Sequence, residues 1–168
     1  SKKKIYSRDR NFWHISHEGA ELESTWAEPL DRMLVMSVPM EKAPSKAAYV
    51  EVDFEAGVPV GINGKKLDGV TIMNKLNALG GKHAVGTVDL IEKRLVGMKS
   101  RGVYETPGGT ILYEALGALE SICLDRDTLH YKQQMALRYA ELVYFGQWYA
   151  PLREAMDAFF NKVVEPLT

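Results

Sequence analysis

Gly97-Met98-Lys99-Ser100-Arg101-Gly102-Val103-Tyr104-Glu105-Thr106-Pro107-Gly108-Gly109-Thr110-Ile111-Leu112-Tyr113 is the stretch on which the fold turns. Before it, apolar residues alternate with polar ones at the period of a strand. After it they recur every three or four residues, the period of a helix. Strands first and helices afterwards predict an α+β fold with segregated elements, an antiparallel sheet of about four or five strands followed by packed helices, rather than a doubly wound sheet. Within the stretch, glycines let the backbone approach a ligand or adopt positive φ, and Lys99, Ser100, Arg101, Tyr104 and Glu105 bring both signs of charge and two hydroxyls beside them. The expectation is a binding surface.

Towards the N-terminus, residues 1 to 48 carry many prolines and charges and only short apolar groups such as Phe12-Trp13 and Met33-Leu34-Val35-Met36. They read as loop with a strand or two, and the alternation of Phe12, His14 and Ser16 against Trp13 and Ile15 suits a brief strand. From Tyr49 the alternation is strict, with Val50, Val52 and Phe54 on one side and Glu51, Asp53 and Glu55 on the other, as in a half-buried strand. Val58, Val60 and Ile62 continue it after a turn at Ala56-Gly57, and Asn63-Gly64 offers the φ > 0 residues of a tight turn. Ile72, Met73, Leu76 and Leu79 have helical spacing, and Gly80-Gly81 follows where a left-handed C-cap would end that helix. Residues 85 to 98 read as two short strands around Glu92-Lys93-Arg94.

Towards the C-terminus, Thr106 is placed as an N-cap with Pro107 at the first helical position, and Ile111, Ala115, Leu119 and Ile122 form an apolar stripe down to Cys123. Asp125 caps a second helix with Leu129, Ala136, Tyr139, Leu142 and Val143 inward, ending near Gly146. Pro151 starts a third, with Ala155, Ala158, Phe159 and Val163 inward. Cys123, among Leu119, Ile122 and Leu124, reads as a small core residue rather than a nucleophile.

The 168 residues suit one domain over 1–168, and 46% apolar residues suffice for a substantial core. Net charge is −1, from 21 basic and 22 acidic residues, so no overall field draws the chain to nucleic acid or to an anionic membrane. Nucleic-acid binding through Lys2-Lys3-Lys4 and the aromatic stripe fails on that count. One cysteine cannot form an internal disulfide, and a reducing cytoplasm is the natural compartment. No apolar run approaches the ~20 residues a membrane helix requires. The opening Ser1, followed by charges without an apolar anchor, predicts a piece of a longer protein.

Several chemistries are excluded. No Gly-x-Gly occurs, Gly81-Lys82 has Leu76 where a phosphate loop needs its first glycine, and there is no Gly-x-Ser-x-Gly elbow. His14, His17, His83 and His130 lack zinc-ligand spacing, so no metal site is expected. What remains are hydrogen-bonding groups. Ser7 and Ser16 flank the segment 8–15 with hydroxyls suited to a polar ligand, the alternative being a turn cap and a solvated hydroxyl. Glu92, at a strand end, suits a ligand ammonium with Tyr104 contributing its hydroxyl; the alternative is an exposed glutamate paired to Lys93 or Arg94. Lys99 and Arg101 suit a phosphate or carboxylate, or a solvated turn. Tyr139, Tyr144, Trp148 and Tyr149 read as core or subunit interface.

Tyr6-Ser7 with His14-Ile15-Ser16, Gly80-Gly81-Lys82-His83 with Gly86 and Val88-Asp89, the whole of 97–113, Glu120-Ser121 with Leu124-Asp125-Arg126, and Tyr139 to Tyr144 followed by Trp148 and Pro151 stand in an order that resembles argininosuccinate synthase from about Tyr6 to Arg153. The resemblance implies an enzyme of arginine biosynthesis and the urea cycle that joins citrulline to aspartate with release of AMP and pyrophosphate. It further implies a citrullyl-adenylate from which the aspartate amine displaces AMP, with no covalent enzyme intermediate and no catalytic residue in this part. ATP, with Mg as its counter-ion, is expected to be held by an N-terminal half carrying a Ser-Gly-Gly pyrophosphate loop that this chain lacks. This chain then corresponds to the synthetase and multimerisation half of a cytoplasmic homotetramer, inactive by itself. Carried over by position, the family's citrulline contacts fall on Ser7, Ser16, Glu92 and Tyr104, with Glu92 assigned to the α-ammonium.

Four positions depart from the family pattern: His17 for a usual Tyr, Ala20 for a second Gly, Thr87 for Arg, and Lys93 after Glu92 where Asn is common. None removes an expected contact, although Lys93 both favours the ionised form of the neighbouring carboxylate and competes with a ligand ammonium. The competing expectation is a non-catalytic oligomerisation module.

Overall fold

The structure is a computed structural model in which residues 5–168 are described; Lys2-Lys3-Lys4 lies outside the described residues. In chain order the elements are β1 (Ser7–Arg10), β2 (Ile15–Glu18), short 3₁₀ turns at Ala20–Glu23, Asp31–Met33 and Met40–Lys42, β3 (Val52–Glu55), β4 (Val58–Ile62), β5 (Lys65–Lys66), α1 (Gly69–Lys82), β6 (Thr87–Lys93), β7 (Lys99–Glu105), α2 (Pro107–Cys123), α3 (Arg126–Tyr144) and α4 (Pro151–Val164). This is an α+β fold. Its strands divide between two antiparallel sheets, one of four strands and one of three. By compactness the chain has two units, Ser1–Val50 with Asp68–Tyr113, and Glu51–Leu67 with Glu114–Thr168.

The first unit holds the sheet ordered β1-β2-β7-β6. The Asn11 side chain accepts from the amides of Trp13 and His14 at 2.8 and 2.9 Å and turns the chain there, so the strand expected over 12–16 begins only at Ile15. Residues 99–105, expected as a binding surface and not assigned to a strand, are a strand between β2 and β6. The β6–β7 hairpin closes later than expected, through Arg94 N–H to Met98 O at 2.8 Å and Gly97 N–H to Arg94 O at 2.9 Å. Tyr6, Leu22, Met33 and Val103 make the buried cluster on one face.

Helix α1 starts where Asp68 accepts from the Thr71 amide at 3.0 Å, and it buries Ile72, Met73 and Leu76 as the spacing requires. Gly80-Gly81 does not cap it. Both glycines are buried within the helix because other backbone comes too close for a side chain: a Cβ at Gly81 would lie 2.0 Å from Met36 O. Pro107 opens α2 as expected, but the Thr106 hydroxyl donates to Gly86 O at 3.4 Å, and the exposed donor of Gly108 is met by Asn77 Oδ1 at 2.9 Å.

In the second unit, β3, β4 and β5 form a meander whose turns fall at Ala56-Gly57 and Asn63-Gly64, all four residues at positive φ. Asp125 caps α3 through the amides of Asp127 and Thr128, and Pro151 opens α4. The two helices pack through Tyr139, whose hydroxyl donates to Asp157 at 2.7 Å, and through edge-to-face ring pairs Tyr131–Phe159 and Tyr139–Phe160. Trp148 lies under the Arg153 guanidinium at 4.6 Å, whereas Tyr149 is exposed. The α2 stripe runs through Ala115, Leu116, Leu119 and buried Glu120, which pairs with Lys132 at 2.8 Å. Ile122 and Cys123 therefore point away from it and are exposed, against expectation.

Candidate functional site

The four-stranded sheet has two chemically different faces, and strand register decides which residue goes where. Ser16 lies directly opposite Tyr104 across β2–β7, Ser7 opposite Glu18 across β1–β2, and Glu92 opposite Ser100 across β7–β6. Counting alternate residues along each strand, Ser7, Ser16, Tyr104 and Glu92 share one face with Glu18, Ser100 and Gly102. With strands ~4.8 Å apart and ~3.3 Å per residue, Ser7 and Glu92 stand about 16 Å apart, and Ser16 and Tyr104, on the two intervening strands, are displaced along them by two residues from Ser7 and four from Glu92.

Local chemistry shapes this face. The Tyr104 ring lies over Gly102, where a Cβ would come within 3.1 Å of its edge, so the missing side chain there lets the phenol lie along the sheet towards Ser100 and Glu92. The His14 ring lies against Tyr104 at a centroid distance of 5.4 Å. Ser16 is buried and its hydroxyl donates to Asp9 O at 3.5 Å, while Ser7 is exposed. Glu92 is half-buried, and neither neighbouring cation is its recorded partner among the described residues: Arg94 turns to Glu18 at 3.1 and 3.2 Å and to Ser100 Oγ at 3.2 Å. The expected alternative, Glu92 paired to Arg94, is thereby replaced by a Glu18–Arg94 pair. Glu18 was not singled out from sequence, although the period-two alternation places it with its neighbours once the register is known.

Of the two other candidate cations, Lys99 is exposed and Arg101 is committed. Arg101 donates to both oxygens of Asp89 at 3.0 and 2.7 Å and to the carbonyls of Ser24 and Ala27, and hydrogen bonding to Asp89 raises its pKa above the ordinary value. Arg101 therefore has little of its guanidinium left to offer a phosphate. The start of α2 spends its Gly108 amide on Asn77.

On the opposite face β2 and β7 are covered while β1 and β6 stay exposed, and the covered part carries a buried polar array that the sequence did not disclose. His17 and Glu105, both inaccessible, meet at 2.7 Å. Glu105 also accepts from the amides of Val35, Met36 and Ser37 at 3.0, 2.9 and 2.7 Å, and Arg8 Nε donates to His17 Nδ1 at 3.0 Å. Since Nδ1 accepts, Nε2 carries the proton and donates to Glu105. Nearby, the Tyr6 hydroxyl and Arg32 hold the Glu21 carboxyl below its ordinary range.

A family model for the Arginosuccinate synthase C-terminal domain matches residues 6–168. The chain belongs to the argininosuccinate synthase C-terminal domain family. It is 60% identical over 168 residues to argininosuccinate synthase of Desulforamulus reducens, covering 100% of this chain and 42% of that protein. To the chloroplastic argininosuccinate synthase of Arabidopsis thaliana it is 55% identical over 168 residues, covering 100% of this chain and 34% of that protein. To argininosuccinate synthase of Clostridium perfringens it is 54% identical over 164 residues, 97% of this chain and 41% of that protein. The chain spans 34–42% of the length of these family members. Among the described residues, no helix is long and apolar enough to cross a membrane.

Proposed function

We propose that this chain is the citrulline-holding part of a cytoplasmic argininosuccinate synthase, a ligase of arginine biosynthesis that joins citrulline to aspartate at the expense of ATP. One observation carries the reading: Ser7, Ser16, Glu92 and Tyr104, drawn from segments far apart in sequence, share one sheet face. An ionised carboxylate is the natural partner of an α-ammonium, and the hydroxyls suit the ligand's carboxylate and ureido groups. The chain's contribution is to bind and orient one polar substrate, which is a large part of what a ligation of several reactants requires. ATP with its Mg counter-ion is assigned to the portion of the family's length that this chain does not span, and the homotetramer to the full-length protein.

The test is Glu92→Gln in the full-length protein. Hydrogen bonds to charged groups contribute ~1.5–3 kcal/mol, so citrulline affinity is expected to fall about ten- to a hundredfold with ATP affinity unchanged. Calorimetric titration measures both; undiminished citrulline affinity removes Glu92 from the site and overturns the ligand-face reading. The chain alone is expected to incorporate no labelled aspartate, and turnover without further polypeptide would refute this division of labour. Full-length protein that assembles but binds no citrulline would favour a non-catalytic oligomerisation module.

A further inference from the structure

We propose that Arg8, His17 and Glu105 form a positioning relay, buried at His17 and Glu105, that fixes the register of the three strands carrying Ser7, Ser16 and Tyr104; the inference rests on the ligand-face reading above. Each member immediately follows a ligand-face residue: Arg8 follows Ser7, His17 follows Ser16, Glu105 follows Tyr104. Adjacent residues of a strand share a peptide unit and point to opposite faces, so holding one side chain holds the backbone from which the other projects. The relay runs Arg8 to His17 at 3.0 Å and His17 to Glu105 at 2.7 Å, crossing β1, β2 and β7 directly behind the site.

The need for such a device lies in the ladders. β6 and β7 share seven register pairs from Thr87↔Glu105 to Lys93↔Lys99, enough for Glu92 to be placed by the ladder itself. β2 and β7 share only three, Ile15↔Glu105, Ser16↔Tyr104 and His17↔Val103, and these join segments 88 residues apart in sequence. A slip by one residue would turn Ser16 to the covered face. It would also separate His17 from Glu105 and leave a carboxylate buried without its partner, which an apolar pair at the same positions would not penalise. The three amides of Val35, Met36 and Ser37 pin Glu105 from the covering loop, so the carboxylate cannot follow a slipped strand. Arg8 extends the same constraint to β1, lying opposite His17 in register and reaching Met33 O at 3.2 Å.

The test uses the full-length ligase and four variants: His17→Phe, His17→Gln, Arg8→Met and Glu92→Gln. Phenylalanine keeps the ring and removes both hydrogen bonds. Glutamine restores an acceptor for Arg8 and a donor for Glu105 on one short side chain. Misplacing a binding group by about an ångström can cost up to ~100-fold, so His17→Phe is expected to raise the KM for citrulline roughly tenfold or more, with the KM for ATP within about twofold. His17→Gln is expected to recover most of that loss, and Arg8→Met, on the more exposed arm, to show the same selective rise should His17→Phe not fold. A merely structural role would lower the active fraction and so kcat, leaving the KM values alone. The relay is overturned by a citrulline KM that does not move, by KM values that rise together for all substrates, or by glutamine giving no rescue. An impaired Glu92→Gln enzyme beside an unimpaired His17→Phe enzyme overturns the relay alone, whereas an unimpaired Glu92→Gln enzyme overturns the ligand-face reading and the relay with it.

Discussion

The four-stranded and three-stranded sheets solve the same problem by different means. In β3-β4-β5 each strand is joined to its neighbour by a tight turn, and the nearest ion pair, Glu55 to Lys66 at 3.3 Å, stays in solvent. In β1-β2-β7-β6 the central pairing joins residues near 16 to residues near 104, and a carboxylate and an imidazole are buried completely to hold it. Turns specify register locally at little cost, whereas a non-local pairing without a connecting turn needs interactions that fail when the register is wrong. The sheet that carries the candidate site is the one specified at a distance.

The contrast breaks most visibly at Glu105. Glu105→Ala leaves three amides and His17 without their acceptor in the interior, and a loss of about 3–5 kcal/mol is expected in chemical denaturation. Glu55→Ala in the smaller sheet removes only a solvated pair and should cost less than ~1 kcal/mol, shrinking further with salt. Equal effects would show that burial of the His17–Glu105 pair is incidental.

Glycine sharpens the comparison at an intermediate scale. Gly64, at φ 70° with open space around it, serves the turn alone, and Gly64→Ala is expected to cost about 1–2 kcal/mol through backbone strain. Gly81 has ordinary helical backbone but sits against Met36 O, so Gly81→Ala must displace the segment that carries the Glu105-binding amides. Overpacking of this kind costs ~1–3 kcal/mol, and its diagnostic sign is a citrulline affinity that falls with stability, which Gly64→Ala should not share.

The smallest effect is at a helix cap. Hydrogen bonding to the Thr128 side chain, then to its amide, holds the Asp125 carboxyl below its ordinary 3.8, so its contribution is complete above that value and disappears as pH falls through the lowered folded value. Asp125→Ala should therefore lower Tm by a few degrees or less near neutrality, and the difference from the parent should close only on acidification below about pH 4. A Tm gap that does not narrow at all on acidification would mean that Asp125 acts otherwise than as an ionised cap.

Features encoded over short distances were legible. Asp125 and Pro151 announced two helix starts, Asn63-Gly64 a turn, and alternation over 52–62 a hairpin, because capping and turn chemistry act within a few residues. The same reasoning misplaced Gly80-Gly81 as a cap, since Gly81 is set by Met36, 45 residues earlier in the chain, and Gly80 by Pro107, 27 residues later. It put Cys123 in the core because apolar neighbours in sequence are not neighbours around a helix. Ser7, Ser16, Glu92 and Tyr104 could be named as candidates from sequence, but their common face came only with the register.

By itself, then, the sequence determined the α+β class, most helix starts and tight turns, and the family, because propensity, capping and motif identity are properties of contiguous residues. Tertiary structure alone decided that β7 lies inside a sheet, that Glu105 faces His17, that Arg94 leaves Glu92 for Glu18, and that four scattered polar groups share one sheet face. Each of those is a pairing between distant segments, and its free energy exists only once both are in place.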